Sequence, residues 1–98
     1  MEKKIIIAKR FRNNTLLIYQ YLIKKHSAKT AFRFLDKLQE RIELIAAYPS
    51  SGKPSAKLKD IRSIILTPHN RIYHRCKNDS IEILCLFDMR KKPSKNRY

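Results

Sequence analysis

Arginine and histidine carry whatever chemistry this sequence offers. Arg71 opens the run Arg71-Ile72-Tyr73-His74-Arg75, His69 stands two residues before it, and Arg62 and Arg90 mark the outer ends of the same third of the chain. A guanidinium is a planar anion-binding fork, and histidine is the natural proton carrier near neutral pH. No serine or cysteine has a convincing base and oxyanion partner, no paired carboxylates occur, and His26, His69 and His74 lack metal-ligand spacing. Enzymes that need such groups are not expected, and no cofactor is expected. Each residue also has a plainer reading. Arg71 can be a solvated strand-end arginine, His74 a hydrogen-bonded core residue, His69 an exposed turn residue, Arg90 surface charge, and Asp88 the partner of a neighbouring arginine.

The chain that must position these groups has 98 residues, read as one domain spanning residues 1–98, and is 43% hydrophobic, enough for one core. Its 23 Lys and Arg against 8 Asp and Glu give a formal charge of +15. Self-repulsion on that scale calls for an anionic partner. Nucleic acid, an acidic protein or a membrane surface would fit, and nucleic acid fits better than a membrane because the basic residues are spread along the chain instead of lining one amphipathic helix. A denser basic cluster runs from Arg90 to Arg97. The run Ile5-Ile6-Ile7-Ala8 is too brief for a signal sequence or a membrane span, so a cytoplasmic protein is expected. Cys76 and Cys85 each fall inside an apolar strand, with Cys76 near Ile81 around the Asn78-Asp79 turn, and read as core filler.

The periodicities predict a strand over 4–9, a helix over 10–25, a helix over 28–47 and three closing strands. In the first helix Leu17, Ile18, Tyr21 and Leu22 make a buried stripe widened by Leu16, Tyr19 and Ile23, so that helix is expected to be covered on more than one side. Ser27 is the expected N-cap of the second helix. There Ala31, Leu35, Leu38, Ile42 and Ile45 form one core face, and Tyr48-Pro49 ends it. Residues 51–59 read as a polar loop. Arg62 and Ile64 share one face of the next strand, with Ile61, Ser63 and Ile65 on the other. Thr67-Pro68-His69-Asn70 suits a tight hairpin. Ile81 to Phe87 is apolar on both faces and should be central.

With its order β-α-α-β-β-β, the chain resembles the RelE/ParE toxins of type II toxin–antitoxin systems, also known as plasmid stabilisation proteins. The residues that carry the likeness are the strand–helix–helix opening, Tyr48-Pro49 followed by Gly52, Ile61-Arg62, the run Asn70 to Arg75, Ile81 to Leu84, Phe87-Asp88-Met89-Arg90 and Pro93. The resemblance implies an α+β fold with two helices on one face of a four-stranded, mainly antiparallel sheet, the other face being open and basic. It also implies an antitoxin partner that wraps the toxin. RelE-like members enter the ribosome and cut mRNA, whereas ParE-like members bind DNA gyrase and do no chemistry. Of the two, the ribosome-dependent mRNA endoribonuclease is the first expectation and the gyrase inhibitor the alternative.

Carried over residue by residue, the nuclease reading makes Arg71 the ligand of the scissile phosphate and Arg90 a second catalytic cation. His69, His74 or Tyr98 would move protons. Arg62 stands where such nucleases carry lysine, and Arg75 joins it as an RNA-binding cation. The next basic position of the family is Ile64 here, a departure that Lys57 and Lys59 would have to make good from the preceding loop. All these groups must then converge on the helix-free face.

Overall fold

The structure, a computed structural model, describes residues 3–91 and 95–98; Pro93 lies outside them. The elements are β1 (Lys4–Ile7), α1 (Lys9–Lys25), α2 (Ala28–Ala47), β2 (Lys53–Pro54), β3 (Ile61–Thr67), β4 (Asn70–Cys76) and β5 (Ser80–Asp88). The sheet order is β1-β5-β4-β3-β2, with β1 parallel to β5 and every other pair antiparallel. The two helices pack on one face, as the resemblance implies. The sheet has five strands instead of four, because Lys53 and Pro54 pair with Ser63 and Arg62 at the edge. Two residues are too few to show a period, and Pro54 needs no amide partner at an edge.

Ser27 does cap α2: its Oγ accepts the Thr30 amide at 3.1 Å. The core face of α2 buries Ala31, Phe34, Leu38 and Ile45, with Leu35 and Ile42 half-buried beside them. In α1 the expected broad burial does not occur. Phe11, Ile18 and Leu22 meet the sheet, while Leu16, Leu17, Tyr21 and Ile23 are exposed. Apolar residues surround this helix on most sides, and only the sheet decides which stripe faces inward. The cluster beneath the helices centres on Ile72, Ile81, Ile83 and Leu86. Each such side chain, fully buried, contributes about 1.5–3 kcal/mol of transfer free energy.

On the opposite face a second, smaller cluster joins Ile61, Tyr73, Leu84 and Cys85, with Phe87 and Tyr98 packed against it. Leu84 is the extra residue of a bulge, since His74 pairs with Ile83 but Tyr73 pairs with Cys85. Cys76 stands opposite Ile81, in the register the turn predicts. No helix among the described residues is long and apolar enough to cross a membrane.

Candidate functional site

Strand parity decides where each arginine goes. Ile64 pairs with Ile72, and both pack toward the helices, so Ser63, Arg71 and Tyr73 must point to the other face. There the Arg71 guanidinium donates through Nη1 to Ser63 Oγ at 2.9 Å. Ser63 is buried and Arg71 half-buried. Arg75 lies on the same face, with its Nη1 3.6 Å from Glu82 Oε1, an oxygen that Lys77 Nζ approaches to 2.9 Å.

This face is not open along its length. The Tyr98 ring lies 5.2 Å from that of Tyr73 at a tilt of 33°. Asn96 Nδ2 donates to the Tyr73 hydroxyl at 2.8 Å, and Lys57 Nζ donates to the Asn96 carbonyl at 2.6 Å. Ser55 Oγ donates to the main-chain oxygen of Tyr98 and accepts the amides of Lys57 and Leu58. Residues 95–98 and the loop before β3 therefore roof the sheet over Tyr73 and Ile61. The expectation of a bare basic face is corrected: apolar side chains left by the bulge needed a cover. Tyr98 and Lys57 sit on the same side of the sheet as Arg71, both engaged in holding that roof. Lys59 is exposed in the same loop.

The remaining candidates lie elsewhere. Arg62 alternates to the helix side and donates to the Gly52 carbonyl at 3.1 Å. Arg90 grips Asp88 with Nε at 3.0 Å and Nη2 at 2.9 Å, and its own amide adds a third bond at 2.9 Å. The Arg90 side-chain bonds hold the Asp88 carboxyl below its ordinary range. His69 occupies the β3–β4 turn, its amide bonded to Thr67 Oγ1 and its carbonyl to the Met89 amide, with the residue exposed.

His74 takes the plainer of its two readings, a hydrogen-bonded core residue, and not that of a proton carrier. The residue is 0% exposed and lies on the helix side, with Nε2 3.2 Å from the Pro49 carbonyl. Burial lowers its pKa, so the ring is neutral and Nε2–H donates to that carbonyl. A ring sealed under the helices cannot take a proton from a substrate on the opposite face. It pins the chain leaving α2 to the sheet. Three residues that the sequence did not single out, Ser55, Ser63 and Asn96, hold the face together. Ser63 alone had a signal, as the hydroxyl that parity places on the Arg71 side.

Among the described residues no group of three or more His, Cys, Asp or Glu could hold a metal ion. What the arrangement can do is bind anions, with Arg71 and Arg75 on the helix-free face and Arg62 on the other side of the sheet.

Over residues 5–93 the chain matches the family described as ParE toxin of type II toxin–antitoxin system, parDE. Among solved structures it is similar to the chromosomal ParDE toxin–antitoxin system of P. aeruginosa, at 17% identity and a TM-score of 0.76, covering 89% of this chain and 96% of that one. It is similar to a chain of the E. coli DinJ–YafQ toxin–antitoxin complex at 12% identity and a TM-score of 0.66, covering 90% and 93%. The YoeB/ParE toxin from Agrobacterium tumefaciens gives 14% identity and a TM-score of 0.61, covering 87% and 96%. At these identities the likeness establishes the fold. No curated protein matches the chain.

Proposed function

The chain belongs to the ParE toxin family of type II toxin–antitoxin systems, and we propose that it works by binding DNA gyrase, with no catalytic centre of its own. The observation that carries this reading is that each of four arginines is held by a partner of its own. Arg71 is bonded to Ser63, Arg62 to Gly52, Arg90 to Asp88, and Arg75 lies beside Glu82. Transesterification of RNA needs cations converging on the charge that builds on the phosphate. It also needs a base and an acid within hydrogen-bond reach of the reacting atoms. With His74 sealed and Arg90 committed to Asp88, neither joins Arg71 as a free catalytic group.

Exposed apolar side chains on α1 support a protein-binding mode. Leu16, Leu17 and Tyr21 are 53%, 66% and 56% exposed, which is surface that a partner would cover. The formal charge of +15 suits an antitoxin that presents an acidic, partly disordered segment and folds on contact.

The test is direct binding. Purified gyrase passed over the immobilised chain gives saturable capture, and excess free chain abolishes it. Absence of capture, with ribosomes retained instead, overturns the proposal.

A further inference from the structure

β1 stops at Ile7, while its partner β5 continues to Asp88. The Ala8 amide still reaches the Ile83 carbonyl at 3.0 Å. Beyond that point the edge of β5 faces α1, and Asn14 Oδ1 accepts the Leu86 amide at 3.1 Å. The step between the short strand and the long one leaves a concavity of about 250 Å³, lined by Leu86, Phe87, Arg10, Asn14, Lys91 and Lys95 among others.

Its charge is one-sided. Among the described residues, Arg10, Lys91 and Lys95 have no ion-pair partner. The carboxylate on the rim, Asp88, is already held by Arg90. Arg10 also belongs to the first turn of α1, which carries no acid and so presents its positive dipole end unopposed. Cys85 forms part of the wall. Burial pushes its thiol up to about 11, and the charges of Arg10 and Arg97 oppose that rise.

We propose that this concavity is a phosphate-binding pocket whose ligand is the phosphodiester backbone of a nucleic-acid strand. The inference stands apart from the gyrase reading and survives its failure. Three cations facing one hollow repel each other until an anion arrives. The Arg10 fork can engage two phosphate oxygens, and the two lysines act as point charges. The hollow is far larger than a lone carboxylate needs.

The experiment uses the full chain, a fluorescein-labelled single-stranded DNA oligonucleotide and fluorescence anisotropy. Arg10→Gln combined with Lys95→Gln weakens binding about 10-fold or more and flattens the salt dependence by roughly 0.7 per lost contact. Lys24→Gln combined with Lys25→Gln removes the same formal charge from the last turn of α1 and changes affinity by less than about 2-fold, because it alters only the diffuse field. Inorganic phosphate, followed by amide NMR, shifts the Asn14 and Leu86 signals in the parent and not in the Arg10/Lys95 variant. Equal weakening by both double variants reduces the effect to overall charge and overturns the proposal. So does displacement of the oligonucleotide from the parent by hexaglutamate more readily than by phosphate, which makes the hollow a carboxylate site.

Discussion

Arg71 on β4 and Ser63 on β3 are joined across the helix-free face by a 2.9 Å hydrogen bond from guanidinium to hydroxyl. The bond lies beside the pair Ser63–Tyr73, so the guanidinium is anchored to the sheet instead of swinging free at a strand end. A hydrogen bond to a charged group contributes about 1.5–3 kcal/mol when shielded, and nearer 1 kcal/mol where water competes. Ser63→Ala and Arg71→Ala should each lower stability by about 1 kcal/mol and should be non-additive, because they remove the same contact. Denaturant titration of the double-mutant cycle measures this, and strict additivity would show the bond to be idle.

Gly52 is the sole glycine of the chain, and it has φ of +92°. A β-carbon there would stand 2.2 Å from the Ser63 carbonyl oxygen and 2.7 Å from Ile64 Cγ2. The backbone leaving α2 passes against β3 at this point, and the Gly52 carbonyl holds Arg62. Gly52→Ala combines the left-handed φ with a backbone clash, so a loss of about 1–3 kcal/mol is expected. Urea unfolding of the variant gives the value, and parent-like stability would contradict the close approach.

Protonation of His74 should destabilise the fold. Its pKa is lowered in the folded state by burial and by the charge of Arg62, against the opposing bond to Pro49. Below pH 6.5, its ordinary value, the unfolded chain binds a proton that the folded chain refuses. Stability therefore falls as pH drops from 6.5 toward the lowered folded value, and above 6.5 the contribution is constant. The slope is at most about 1.4 kcal/mol per pH unit from this group. Thermal melts between pH 5 and 7.5 should show the decline, and His74→Gln, which keeps a donor for the Pro49 carbonyl, should flatten it. An unchanged slope in that variant would place the titration elsewhere.

The Asp88–Arg90 pair has its own signature. The carboxyl is held low chiefly by the Arg90 side-chain hydrogen bonds. Its stabilising contribution is present above the ordinary carboxylate pKa of about 3.9 and is lost as pH falls through the lower folded value. Arg90→Ala should move the Asp88 midpoint back up toward the ordinary range in a carbon-detected NMR titration. A midpoint that does not move would mean that the three bonds to Asp88 do not persist in solution.

Much of this arrangement is legible in the residues. Ser27 and Tyr48-Pro49 bound α2 at its observed ends, because a cap and a proline act locally. The Asn78-Asp79 turn places Cys76 opposite Ile81, and alternation puts Arg71 and Ser63 on one face. Other features depend on contacts far apart in the chain. Which stripe of α1 faces inward is decided by the sheet, and the burial of His74 by the Pro49 carbonyl 25 residues earlier. The cover over Tyr73 comes from Asn96 and Tyr98, and no local signal announces a cover. The two-residue β2 is too short to have a pattern. The bonding of the arginines depends on tertiary partners in the same way. Arginines at regular positions suggest a cluster until Gly52, Ser63 and Asp88 each claim one.

On the proposed function, the chain stops its target by binding it and cuts no RNA. The most direct measurement adds the purified chain to two reactions side by side: gyrase with supercoiled DNA, and a ribosome-driven translation with end-labelled mRNA. Trapped, cleaved DNA in the first and full-length mRNA in the second is the expected pair. Ribosome-dependent cuts in the mRNA, abolished by Arg71→Ala, with gyrase unaffected, would contradict it.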